Sequence, residues 1–322
     1  MTASTSTHAG PGAPVLAVDV GGTHIKSATL DATGVLGPIR RSPTPRSADD
    51  PGGVVVAAVA ELVAEAVSTA GVQAAGVAIP GHVDERAGIG VWSSNLRWRD
   101  YPFTQALRAA TGHQVALAHD VRAAGEAEAR IGAAAGLDDV AVVTIGTGIA
   151  AALRLGGRSY AGRGLAGELG HTVVIPDGPA CHCGNHGCLE AIASAGAIVR
   201  RFERESGRRV DGAREVLRLT HDGDALARQV WDDALAALAV GLAQLTALVA
   251  PQAVVIGGGL AEAGDELIEP LRAGLARACS ASSPPALLLA RLGQDAGTWG
   301  AAFAARDLLA EASADHTPGG LR

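Results

Sequence analysis

Three cysteines and a histidine gathered in GELGHTVVIPDGPACHCGNHGCLE, residues 167–190, constrain this chain more than any other stretch. His171 precedes Cys181 by ten positions, and Cys183 and Cys188 follow closely. Four soft or borderline ligands in so short a span match a Cys₃His zinc site. In the run Cys-x-Cys-Gly-x-x-Gly-Cys, Gly184 and Gly187 stand where the backbone must fold back to bring three thiolates to one tetrahedron. Four protein ligands leave no open position for water, so the expected ion is structural and shapes the loop. Cys181 and Cys183 are too close in sequence for easy disulfide geometry. His182 and His186 are rival ligands, ranked below His171 because His171 belongs to a second pattern, Gly167-Glu168-Leu169-Gly170-His171. If that pattern forms one helical turn, Glu168 and His171 face the same way. One imidazole nitrogen would then serve the metal and the other a ligand. With Glu190 held by the same loop, the chain offers two acceptors and an imidazole to a hydroxyl-rich substrate.

The 322 residues suit two domains, and a hydrophobic fraction of 48% drawn from Ala, Val and Leu describes a well-packed globular protein. A net charge of -7 and a pI near 5.8 argue against a nucleic-acid partner. Unpaired cysteines in a metal pattern point to a reducing, cytoplasmic compartment. MTASTSTHAGPGAP has neither the basic start nor the apolar run of a signal peptide. Residues 234–250 carry no charge but include Gly241, Gln244 and Thr246 and fall short of a membrane span, so a buried helix is expected there and no membrane partner.

The segment VLAVDVGGTHIKSATLDATG predicts a strand over 15–20, a Gly21-Gly22-Thr23 turn and a second strand, with Asp19 just before the turn. Glycine lets the backbone approach an anion, and Thr23 adds a hydroxyl. DVAVVTIGTGIAAALRLGG repeats the design around Gly146-Thr147-Gly148. Two such units suggest a phosphate-gripping hairpin in each domain, with several phosphates held between them. No Gly-x-x-x-x-Gly-Lys occurs and Lys26 is the only lysine, so a P-loop is excluded. Asn95 lies in a loop before the helix expected at Phe103 to Thr111, as a sugar contact or a structural residue. Strand QVALAH leads to Asp120 at a strand-to-helix junction, where a carboxylate suits a catalytic base or a helix N-cap equally well. Gly257-Gly258-Gly259 after an apolar strand suggests close approach to a nucleotide base or ribose, or a simple tight turn.

These segments, together with IPGHVD, HDVRAA and GQDAGTWGAA, resemble the ROK family of bacterial sugar kinases and repressors over nearly the whole chain. The resemblance implies the actin-like ATPase (ribonuclease H-like) fold of the hexokinase superfamily: two α/β domains with mixed five-stranded sheets and an interdomain cleft that closes on substrate. The implied division is a disordered tail over 1–13, an N-terminal domain over 14–119, a C-terminal domain over 120–294 and a tail over 313–322. A terminal helix over 295–312 would pack back on the first domain. The implied reaction is ATP-dependent phosphorylation of a hexose, glucose first, with N-acetylmannosamine, N-acetylglucosamine and fructose as alternatives. In that scheme Asp120 is the base, and Asn95, His119, Glu168, His171 and Glu190 bind sugar. Asp19 lies near Mg²⁺, Gly21 to Thr23 and Gly146 to Gly148 hold phosphates, and Gly257 to Gly259 lie near the adenosine. His171, Cys181, Cys183 and Cys188 hold structural Zn²⁺, and the protein is a dimer or tetramer. Family kinases commonly carry Asn before the catalytic Asp; this chain has His119, so sugar preference is expected to turn on that residue. A repressor would need a helix-turn-helix before Val15, where only about fourteen residues stand, too few for that motif. A non-catalytic sugar sensor is the alternative of another class.

Overall fold

The computed structural model describes residues 8–279 and 283–315, which form two compact units. Of the described residues, the first comprises 8–131, 162–165 and 294–315, and the second 132–161, 166–279 and 283–293.

In the first unit the strands are β1 (Val15–Val20), β2 (His24–Leu30), β3 (Arg40–Pro43), β4 (Ala74–Ile79), β5 (His82–Asp84), β6 (Ile89–Trp92), β7 (Arg99–Tyr101) and β8 (Gln114–His119). The helices are α1 (Pro51–Ala70), α2 (Phe103–Thr111) and α3 (Asp120–Ile131). The main sheet runs β3-β2-β1-β4-β8, antiparallel through the hairpins and parallel from β1 to β8. β1 and β4 are near-continuous apolar runs because both their faces are covered, and β4 is buried throughout. Helix α1 starts where the Asp50 side chain accepts the N–H of Gly53 and Pro51 presets the first turn, and it ends at Gly71 in the left-handed region. β5, β6 and β7 form a small antiparallel sheet.

The second unit holds β9 (Val140–Ile145), β10 (Ile149–Leu155), β11 (Arg158–Tyr160), α4 (Leu189–Ala193), α5 (Ala195–Ser206), α6 (Ala213–His221), α7 (Ala225–Val249), β12 (Ala253–Gly257), α8 (Asp265–Ala278) and β13 (Ala286–Leu289). Its sheet, β11-β10-β9-β12-β13, repeats the order and strand directions of the first. Both α1 and α7 are long and apolar enough to cross a membrane; α7 instead packs Trp231, Leu235, Leu238, Leu242 and Leu245 into the core of this unit.

The last helix, α9 (Ala296–Asp315), belongs to the first unit. It lies so close to α3 that a Cβ on Gly300 would come within 1.9 Å of the Ala123 carbonyl oxygen. A Cβ on Gly76 would meet the Ala301 carbonyl at 1.8 Å. Arg130 of α3 also forks onto the Asp307 carboxylate of α9. This packing draws α3 into the first unit, so the chain divides after residue 131 and not at the expected 119. Part of the expected N-terminal tail is tied down as well. Ala9 and Gly12 donate to the Gly34 and Ala32 carbonyls, and Arg306 donates to the carbonyls of Gly10 and Ala13. Residues 1–7 and 316–322, the remainder of the two expected tails, lie outside the described residues.

Candidate functional site

In the first unit the hairpin turn between β1 and β2 is anchored by its carbonyls. The Thr44 hydroxyl donates to Gly21 O at 2.7 Å, Arg46 Nη2 donates to Gly22 O at 2.7 Å, and the Thr44 amide donates to Thr23 O at 2.9 Å. In a trans peptide the C=O and the following N–H point opposite ways, so anchoring these carbonyls turns the amides of Gly22 and Thr23 to the other side. That is the arrangement an anion needs. Arg46 Nη1 also donates to the Asn95 carbonyl at 3.0 Å, fixing the exposed Asn95 loop against the turn.

Asp19, at the end of β1, faces Lys26 across the hairpin at 3.5 Å. Gly297 at the start of α9 leaves room for this carboxylate, since a Cβ there would sit 2.7 Å from Asp19 Oδ2. Burial raises the Asp19 pKa above the usual carboxylate range, opposed by Lys26 and reinforced by Asp295.

Asp120 opens α3; of the two roles the sequence left open for it, it does not make the helix-capping contact. That contact belongs to His119, whose Nδ1 accepts the Arg122 N–H three residues on at 3.3 Å. Asp120 Oδ1 accepts the neighbouring Val121 N–H at 2.7 Å, and His119 Nε2 lies 3.3 Å from the same oxygen. Burial first, and the charge of Asp19 second, push the Asp120 carboxyl up to about 7. Burial, with the Arg122 and His82 charges, pushes the His119 imidazole down to about 3, so it is neutral.

The second unit carries the other candidates. Residues 169–171 form a single 3₁₀ turn, and His171 Nε2 lies 3.8 Å from Glu168 Oε2. Cys181 Sγ is 3.7 Å from His171 Nδ1, and Cys183 Sγ is 3.7 Å from Cys188 Sγ. The ligand atoms of His171, Cys181, Cys183 and Cys188 all lie within 4.8 Å of one another, and His182 and His186 are not in this group. Gly184 and Gly187 adopt φ of +93° and +71°, and a Cβ on Gly187 would come within 1.6 Å of the Ile175 carbonyl oxygen. The fold-back thus requires glycine at the second position for space as well as dihedral angle.

Glu190 lies in the first turn of α4, and its Oε2 accepts the Ile149 N–H at 2.8 Å beside Gly148. The segment that follows the Cys₃His loop is therefore coupled to the β9–β10 turn, whose Gly146 carbonyl accepts the Ala195 N–H. Gly258 has φ +81°, and a Cβ there would clash with the Ile145 carbonyl at 2.5 Å. Gly259 faces open space. The triple glycine therefore combines a tight turn with an unobstructed backbone.

Sequence reasoning did not reach Arg46, Glu85 or Arg122. Arg122 is 4% exposed, with Nε on Glu85 Oε1 at 3.1 Å and Nη2 on the Val83 carbonyl at 3.0 Å. A charged residue among the alanines of α3 was the available signal; the partners, Val83 on β5 and Glu85 in the turn after it, lie 39 and 37 residues away in sequence.

Comparison with known proteins matches residues 15–308 to the ROK family. The glucokinase of Streptomyces coelicolor is 32% identical over 312 residues, covering 91% of this chain and 97% of its own length. The ROK hexokinase of Thermus thermophilus superposes with a TM-score of 0.83 at 37% identity, covering 92% of this chain and 99% of that one. A ROK glucokinase from Streptomyces griseus, solved with glucose and AMPPNP, superposes at 0.78 with 31% identity, covering 91% and 99%. The repeated mixed sheets, the glycine turns and the Cys₃His loop are thus set in a fold shared with ROK sugar kinases, and the chain belongs to the ROK family.

Proposed function

We propose that this protein is an ATP-dependent hexose kinase acting first on glucose. The observation that carries the reading is the Asp120 carboxyl, raised to about 7 at the head of α3 and within the field of Asp19, in a chain 32% identical to a glucokinase. A base with that pKa accepts a proton near neutral pH, as removal of a sugar hydroxyl proton during attack on the γ-phosphate requires. Positioning and charge neutralisation carry the rest of phosphoryl transfer. The amides of Gly22 and Thr23, and the turn at Gly146, Thr147 and Gly148, hold phosphates. Gly257, Gly258 and Gly259 receive the adenosine. Asn95 in the first unit, and Glu168, His171 and Glu190 in the second, are the side chains we assign to the sugar hydroxyls.

Asp19 offers hard carboxylate oxygens that suit Mg²⁺. Bound there with ATP, the ion would neutralise developing phosphate charge.

His171, Cys181, Cys183 and Cys188 fit structural zinc. A tetrahedral ion with Zn–S bonds of about 2.3 Å implies ligand-to-ligand edges of about 3.8 Å, close to the 3.7 Å separations found. Bound zinc would hold the loop that presents Glu168 and Glu190.

Self-association completes the reading. Val240 and Leu248 on α7 are 40% and 86% exposed, and Val173 and Ile175 are exposed on the segment whose Val173 carbonyl accepts from Gln244 of α7. Light scattering should report a dimer or tetramer.

The decisive experiment is ADP release from Mg-ATP with glucose, mannose, fructose, N-acetylglucosamine and N-acetylmannosamine. Turnover led by glucose supports the proposal. Absence of turnover on every sugar, with sugar binding still visible by calorimetry, would replace it with a sensor.

A further inference from the structure

The β8–α3 junction holds a chain of contacts that sugar binding alone does not explain. The His119 amide donates to Glu85 Oε1 at 2.7 Å, and the same oxygen accepts Arg122 Nε. Arg122 is buried and also donates to the Val83 and Gly164 carbonyls. Its backbone N–H then closes on His119 Nδ1. His119 is therefore held at two points, its backbone amide and the δ nitrogen of its ring.

A neutral imidazole has one donor nitrogen and one acceptor. The hydrogen-bond network assigns Nδ1 as acceptor, because it faces a backbone N–H. The proton consequently sits on Nε2, the nitrogen 3.3 Å from Asp120 Oδ1. The charged and titratable groups acting on this pair are His82 on β5, Glu85 after it, Arg122 on α3 and Asp19 on β1.

We infer that His119 is a positioning residue: its Nε2–H holds Oδ1 of Asp120, so that Oδ2 is the oxygen presented to the sugar hydroxyl. The inference rests on the kinase reading with Asp120 as base. An N–H aimed at a carboxylate favours its ionised form and fixes its orientation. His119 thereby opposes the burial and the Asp19 charge that work to protonate the base.

Two substitutions separate this role from a sugar contact. Asn at 119 can keep an acceptor for the Arg122 N–H but cannot reach Oδ1, whereas Gln can place an N–H near the position of Nε2. His119→Asn should lower kcat by about ten- to a hundredfold, as a misoriented reacting group does, leave the sugar KM within about twofold, and move the acid limb of the kcat profile to higher pH. His119→Gln should restore part of the rate and return the acid limb. Combined with Asp120→Asn, His119→Asn should change the residual rate no further, because the pair acts as one unit.

A rise in sugar KM with kcat preserved would overturn the inference in favour of direct sugar contact. Equal losses in the Asn and Gln variants with an unmoved acid limb would reduce His119 to a helix cap. A wild type inactive on the whole sugar panel, or an Asp120→Asn variant keeping more than a tenth of the rate, would remove the base itself and this inference with it.

Discussion

At the scale of the residue, a carboxyl pushed up to about 7 is a competent base only in the upper part of the neutral range. Asp120 is neutral below that pH and charged above it, so kcat/KM should fall as pH drops through about 7 and level off above it. A pH profile on the preferred sugar checks this; a flat rate down to pH 5 would argue for a base of ordinary pKa. Asp120→Asn should cut kcat by about 10²- to 10⁴-fold while sparing sugar affinity by calorimetry. The sequence left Asp120 poised between base and helix cap. His119 takes the capping bond, and that assignment depends on a rotamer and on an anchored Arg122, neither of which appears in a string of letters.

At the scale of the element, the glycines separate into those that turns demand and those that face space. Gly258 needs its positive φ and has the Ile145 carbonyl against it, while Gly259 is open. Gly258→Ala should therefore lower Tm by several degrees, as a strained and overpacked site does at a cost of about 1–3 kcal/mol. Gly259→Ala should leave Tm within about a degree and instead raise the KM for ATP, if the adenosine lies against it. Thermal scans and ATP titrations of the two variants test this split. Strands and helices were legible because their periodicity is local: α2 spans Phe103 to Thr111 as the pattern predicts. The close passage of α9 against Ala123 and the β4 backbone was not, since Gly76 and Gly300 carry no local mark of the partner they make room for.

At the scale of the whole molecule, the proposed zinc site ties sugar binding to folding of the loop. Cys183→Ala should lose the zinc, lower Tm and weaken sugar affinity together, because Glu190 reaches the Gly148 turn from the helix that follows Cys188. Metal analysis of the purified variant checks it, and one equivalent still bound would refute the ligand set. The sequence alone determined the Cys₃His cluster, the two glycine hairpins and the family, since each is a pattern of residue types at short spacing. Tertiary structure alone decided that the chain divides after residue 131, that Arg46 anchors the first turn through its carbonyls, and that Glu85 and Arg122 lock His119 beside Asp120. The physical reason is reach. A metal loop or a tight turn is specified by neighbours a few residues apart, whereas a buried guanidinium finds its partners across strands that only the folded sheet brings together.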